Sequence, residues 1–182
     1  MKAWPQWIVW RYEETDGIKP TKVPYSPRSG KLASVTDPRT WATFDDVCAC
    51  LQTGWYAGAG FVLTDGDPFA FVDLDDSEGD DETLQKQLTI FNETTSYAER
   101  SPSGKGLHII VKGGIPSGRR RGKIEVYSSL RYMTMTGDVF RAAKATDPEK
   151  LTPAMAKALG YMQKGELVPD DTVIDMVRER ID

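Results

Sequence analysis

The stretch FAFVDLDDSEGDDE, Phe69 to Glu82, sets Asp73 and Asp75 two residues apart among apolar strand formers. Side chains two apart in a strand share a face, so the two carboxylates point together while Val72 and Leu74 point to the core. Their Cα atoms are then about 6.5–7 Å apart, a spacing from which two carboxylates converge on divalent ions of the two-metal phosphoryl-transfer type. Oxygen-only donors of this kind select Mg2+ or Mn2+. A calcium loop does not fit. Counted from Asp73, position 6 is Glu78 instead of glycine and position 12 is Leu84 instead of glutamate.

A third carboxylate would complete such a site, and KIEVY offers Glu125 between Ile124 and Val126. Charge along the chain is segregated. Thr64 to Glu82 carries nine acids and no Lys or Arg, whereas Arg100 to Arg131 carries eight Lys or Arg and only Glu125 as an acid. One segment attracts cations and the other phosphates; two solvated loops of opposite charge remain the plainer alternative. The chain's one histidine, His108, lies in SPSGKGLHIIVK and alternates with Leu107 and Ile109, so it faces away from the side they bury. Gly104 and Gly106 allow backbone N–H groups close to a phosphate, and Ser103 and Lys105 add donors. The GxxxxGK[ST] phosphate loop is absent. Arg131 opens a strand soon after Glu125, where a guanidinium can clamp phosphate oxygens. Arg119, Arg120 and Arg121 form a basic loop before the Glu125 strand. Lys22, Arg28 and Lys31 cluster around Tyr25, basic residues beside an aromatic that suit single-stranded nucleic acid.

The elements that must hold these residues are legible from pattern. QWIVWRYE predicts a strand over Trp7 to Tyr12, followed by a Pro-, Ser- and Lys-rich loop, GIKPTKVPYSPRSGKLAS. A helix is predicted over Phe44 to Gln52 with Thr43 as N-cap. GAGFVLT and FAFVDLD read as strands joined by the turn DGDP. Asp81 to Thr94 reads as a helix with Leu84, Leu88 and Phe91 on its apolar side. SYAERS and LHIIVKGG are strands around the tight SPSGKG loop, and KIEVYSS and RYMTMTG are two more, joined near Ser129. The tail predicts helices, and in the last one Val173, Ile174, Val177 and Ile181 form an apolar stripe that runs to the end of the sequence. This predicts the N-terminal piece of a longer protein.

The totals bound the class. With 182 residues, 40% hydrophobic content and a net charge of −4, the chain is expected to hold one domain with a short appendage. It is not expected to coat nucleic acid indiscriminately. No apolar run is long enough for a membrane span and no signal peptide is recognisable. Cys48 and Cys50 diverge on their helix, so they are expected as reduced, core-side thiols rather than a disulfide or half a zinc site. A cytoplasmic protein is expected.

In order, D-x-D on a strand, S-x-G-x-G-x-H, then a lone acid flanked by apolar residues and RYMTMTG resemble the catalytic core of the archaeo-eukaryotic primase superfamily. The likeness is to the primase-polymerases of phages and plasmids, and WIVWRYE…TKVPYSPRSGKLASVTDPRTWATF resembles that subgroup's N-terminal signature. The resemblance spans Trp7 to Gly137. It implies an α+β fold, an RRM-like antiparallel sheet with flanking helices joined to an N-terminal α/β unit. It implies a catalytic domain over residues 1–150 and a helical extension over 151–182. It further implies that Asp73, Asp75 and Glu125 bind two Mg2+ or Mn2+ ions. Ser103, Gly104, Lys105, Gly106, His108, Arg131 and, on the TKVPY match, Lys22 would bind the incoming dNTP or NTP. Arg28, Lys31, Arg119, Arg120 and Arg121 would meet a single-stranded DNA template and primer. No zinc is expected, because the cysteines of the family's zinc-binding insertion are missing, and a helicase, fused or separate, is the expected companion. A two-metal nuclease and a non-catalytic single-stranded nucleic-acid-binding module are the alternatives.

Overall fold

The computed structural model describes residues 1–15, 18–75, 81–94 and 96–140. The expected tail helices and the 151–182 extension lie outside those residues. Within them the chain is mixed α+β, with two antiparallel sheets and two α-helices.

The first sheet is built from β1 (Trp7–Thr15), β2 (Ile18–Tyr25), β3 (Gly58–Leu63) and β9 (Arg131–Met135), in the order β2-β1-β3-β9. The second comprises β4 (Phe69–Asp75), β5 (Tyr97–Arg100), β6 (Gly106–Lys112), β7 (Arg119–Arg121) and β8 (Ile124–Tyr127), in the order β5-β6-β4-β8-β7. Two short connections cross between sheets. The turn after β3 leads into β4, and the turn near Ser129 carries the chain from β8 to β9. Neither pair forms a hairpin. Pattern identifies a strand but not the sheet it joins.

Two segments read as loops are strands. Ile18–Tyr25 pairs along β1 although it contains Pro20 and Pro24. It is an edge strand, and proline is tolerated where its missing N–H would face outward from the ladder. The outward carbonyl of Pro24 is satisfied by the Ala33 N–H at 2.9 Å. The arginine run Arg119–Arg121 is likewise an edge strand, β7, paired to β8. Its exposed side chains carry no apolar signal, so alternation could not reveal it.

The helix α1 (Phe44–Leu51) begins at Thr43 as expected, with a capping box in which Thr43 and Asp46 satisfy each other's backbone N–H groups. The expectation of two core-side thiols holds for one of them: Cys50 is half-buried and packs against the core, whereas Cys48 is exposed. The helix α2 (Asp81–Thr94) also matches its expected span. Its Ile90 and Phe91 pack on Val72, Leu74, Ala98, Leu107 and Ile109, which form the outer layer of the second sheet. The opposite face of that sheet contributes Phe69, Phe71 and Ile110 to one core with Trp7, Val9, Phe61, Leu63 and Met133 of the first sheet. The candidate site residues Asp73, Asp75, His108 and Glu125 lie on this inner face. Among the described residues no helix is long and apolar enough to cross a membrane.

Candidate active site

Strand register assembles the site. Glu99 of β5 pairs with His108 of β6, His108 with Asp73 of β4, Asp73 with Glu125 of β8, and Glu125 with Arg120 of β7. Directly opposed residues of antiparallel strands share a face. One row therefore runs across all five strands, an ionisable side chain from each. Asp75, two residues along β4, lies on the same face opposite Gly106.

His108 is 3% exposed. Its Nε2 lies 3.6 Å from Asp73 Oδ1, its Nδ1 3.0 Å from the Thr134 carbonyl oxygen, and its ring meets the Phe71 ring edge-on. Burial raises the pKa of the Asp73 carboxyl above the ordinary carboxylate range. His108 and Lys22 oppose that rise, and the like charges of Glu125 and Asp75 add to it. Lys22 thus sits within electrostatic reach of Asp73. Its strand is tied to β9 by the Tyr132 hydroxyl, which donates to the Lys22 carbonyl; burial pushes that phenol's pKa to about 12.

Glu125 is held from two sides. Arg120 Nε lies 3.2 Å from its Oε1, and the Tyr127 hydroxyl donates to its Oε2 at 2.7 Å. Arg131 in turn donates to the Tyr127 oxygen at 3.2 Å and stacks its guanidinium over the ring. Arg131, Tyr127 and Glu125 form one chain of contacts. Tyr127 was not singled out from sequence, where it reads as an ordinary strand aromatic.

The SPSGKG loop closes the β5–β6 hairpin beside the Asp75 end of β4. Its shape comes from within: the Gly104 N–H donates to the Ser101 carbonyl and the Lys105 N–H to Ser103 Oγ. Gly104 has φ 73°, a left-handed conformation that favours glycine. A Cβ on Gly106 would lie 2.3 Å from the Leu74 carbonyl oxygen, so the close pairing of β6 with β4 itself demands glycine. Ser103 and Lys105 are exposed at the loop tip. The expected nucleic-acid contacts are more scattered. Arg28 bridges to Asp46 of α1 at 3.1 Å, Lys31 is exposed, Arg119 and Arg121 flank the row on β7, and Arg120 is engaged with Glu125.

Among the described residues no three His, Cys, Asp or Glu side chains are already gathered as a metal-binding group. The donor set nevertheless fits a hard divalent cation. Its donors are carboxylate oxygens, and Asp73 is crowded by two like charges that a cation would relieve. The Arg120–Glu125 pair is a surface one on the arginine side, of a kind worth about 0–1 kcal/mol, so its exchange for a metal is cheap.

Over 149 residues the chain is 40% identical to the DNA primase-polymerase of Nitratiruptor phage NrS-1, covering 77% of this chain and 20% of that protein. What this chain resembles is a phage primase-polymerase. It spans about a fifth of that protein's length. Shorter likenesses exist to adenylate kinases, such as the one from Carboxydothermus hydrogenoformans, 59% identical over 77 residues, 41% of this chain and 34% of the enzyme. With no GxxxxGK[ST] loop in the sequence and no parallel sheet among the described residues, a kinase reading finds no support there. No family model matches the chain.

Proposed function

We propose that this domain carries out template-directed nucleotidyl transfer, joining dNTPs or NTPs to a primer 3′-hydroxyl. The observation that carries this reading is the register that makes Asp73 the direct neighbour of both Glu125 and His108. It sets the acidic half of the site against the phosphate-binding half in a relative of a DNA primase-polymerase. Asp73, Asp75 and Glu125 would hold the divalent ions. When bound, Mg2+ or Mn2+ supplies activation of the attacking hydroxyl and neutralises charge on the leaving pyrophosphate.

The chain's own residues do the rest. His108 Nε2, Ser103, Lys105, the Gly104 and Gly106 backbone, Lys22 and Arg131 hold the triphosphate in line, which removes the entropic cost of aligning the reacting groups. Tyr127 links Arg131 to Glu125, so a cation that grips phosphate also steadies an acidic ligand. Arg28, Lys31, Arg119 and Arg121 line a path for template and primer. Arg120, released from Glu125, joins them.

What supports an RRM-like assignment is the second sheet. Its elements β4, α2, β5, β6 and β8 come in that chain order, with the edge strand β7 inserted before β8; the strand order is β5-β6-β4-β8, and α2 covers the face away from the site. We assign residues 1–150 to the catalytic domain, which works with a helicase in the cytoplasm of a bacterial host.

The test is incubation with an end-labelled primer on a longer template, dNTPs and Mn2+. Extension is expected, with little product on an unprimed template. Shortening of the label would identify a nuclease instead, and metal-independent binding without either change a binding module. Abundant products on unprimed DNA would overturn the claim about initiation.

A further inference from the structure

We propose that Glu99 is a positioning residue for His108, setting which edge of the imidazole faces the nucleotide. The inference rests on the nucleotidyl-transfer reading only for what that edge does, not for how it is set.

Glu99 is 0% exposed, and a buried carboxylate is costly unless fully paired. Its Oε1 accepts the Thr136 N–H at 2.8 Å; its Oε2 accepts the Gly137 N–H at 3.0 Å and the Tyr97 hydroxyl at 2.8 Å. Burial pulls the carboxyl's pKa upward, but the nearby His108 ring and the bonds from Thr136, Gly137 and Tyr97 outweigh it, so Glu99 stays ionised. His108 Nδ1 lies 3.6 Å from Oε1 and 3.0 Å from the Thr134 carbonyl oxygen. Two acceptors and no donor bracket Nδ1, so Nδ1 carries a hydrogen. A half-turn of the ring would set a C–H against both acceptors and turn Nε2 away from Asp73, 3.6 Å off. Thr134 alone leaves one acceptor to resist that turn. Glu99 adds the second, with a full charge, from the neighbouring strand. It also clamps the segment after β9 that carries Thr136 and Gly137. The phosphate-facing edge of His108 and the end of the Arg131 strand are thereby held by the same carboxylate.

The chain's single histidine makes the claim directly readable. In a proton–nitrogen correlation spectrum of the labelled full chain, one ring orientation with a slowly exchanging Nδ1–H is expected. Glu99→Gln should abolish that protected signal while distant backbone amides stay in place. Tyr97→Phe, which removes a donor from the same carboxylate without touching His108, should keep it. In primer extension Glu99→Gln should raise the nucleotide KM about tenfold, the range expected for loss of a charge-assisted contact. In a His108→Ala background that penalty should shrink to below about twofold, because two residues that act as a unit are not additive. An unchanged ring signal in folded Glu99→Gln, or the same penalty in both backgrounds, overturns the proposal. So does a wild-type spectrum with an exchange-averaged ring or no protected Nδ1–H, which needs no variant to fold. If the wild type fails to extend primers, the functional reading falls while the spectrum still decides the role of Glu99.

Discussion

Asp73 is the residue on which chemistry and folding pull in opposite directions. Burial, then the like charges of Glu125 and Asp75, hold its pKa above the ordinary carboxylate range against the pull of His108 and Lys22. An acid whose pKa is raised on folding favours the folded state when protonated, and costs stability as pH rises through its folded value. Asp73→Asn should therefore unfold at the same or higher denaturant concentration than wild type at pH 7 without metal. The difference should vanish at a pH below the ordinary aspartate range. Denaturant titrations at both pH values check this, and a clearly less stable variant at pH 7 would contradict it. At this scale Asp73, Asp75, Glu125 and His108 were legible because their types break an apolar alternation. Glu99 and Tyr127 were not. Their significance depends on which strand lies next to them, and no local pattern carries that.

Elements rather than residues create the row from Glu99 to Arg120, because register converts five separate positions into neighbours. The tightest constraint on that register is Gly106 against the Leu74 carbonyl. Gly106→Ala should cost on the order of 3 kcal/mol, since backbone must shift to admit the methyl group. Thr43→Ala, which removes only the cap of α1, should cost about 1 kcal/mol. Thermal or denaturant unfolding of the two variants compares them directly, and equal losses would show that the β4–β6 pairing tolerates slack. Both helices and seven of the strands follow from capping residues and apolar periodicity. The two strands that sequence missed, β2 and β7, are edges rich in proline or arginine, where composition resembles a loop because one side of the ladder faces outward.

At the scale of the whole molecule, two antiparallel sheets share a core and divide the candidate site residues between them. The second sheet carries the acids, the histidine and the glycine loop. The first brings Lys22 to them on β2 and Arg131 on β9, the latter through the connection that crosses from β8. Segregated charge in the sequence hinted at facing acidic and basic walls. It could not show that both walls meet on one inner face, because sheet membership is a long-range property. The most direct measurement is the rate of single-nucleotide incorporation on a primed template with Mn2+, for the wild type and for Asp73→Asn, Asp75→Asn and Glu125→Gln. Each substitution is expected to lower the rate by about a thousandfold or more with unfolding behaviour preserved, as for loss of an essential catalytic group. A folded variant of any of the three that incorporates nucleotide within about tenfold of wild type would contradict the account.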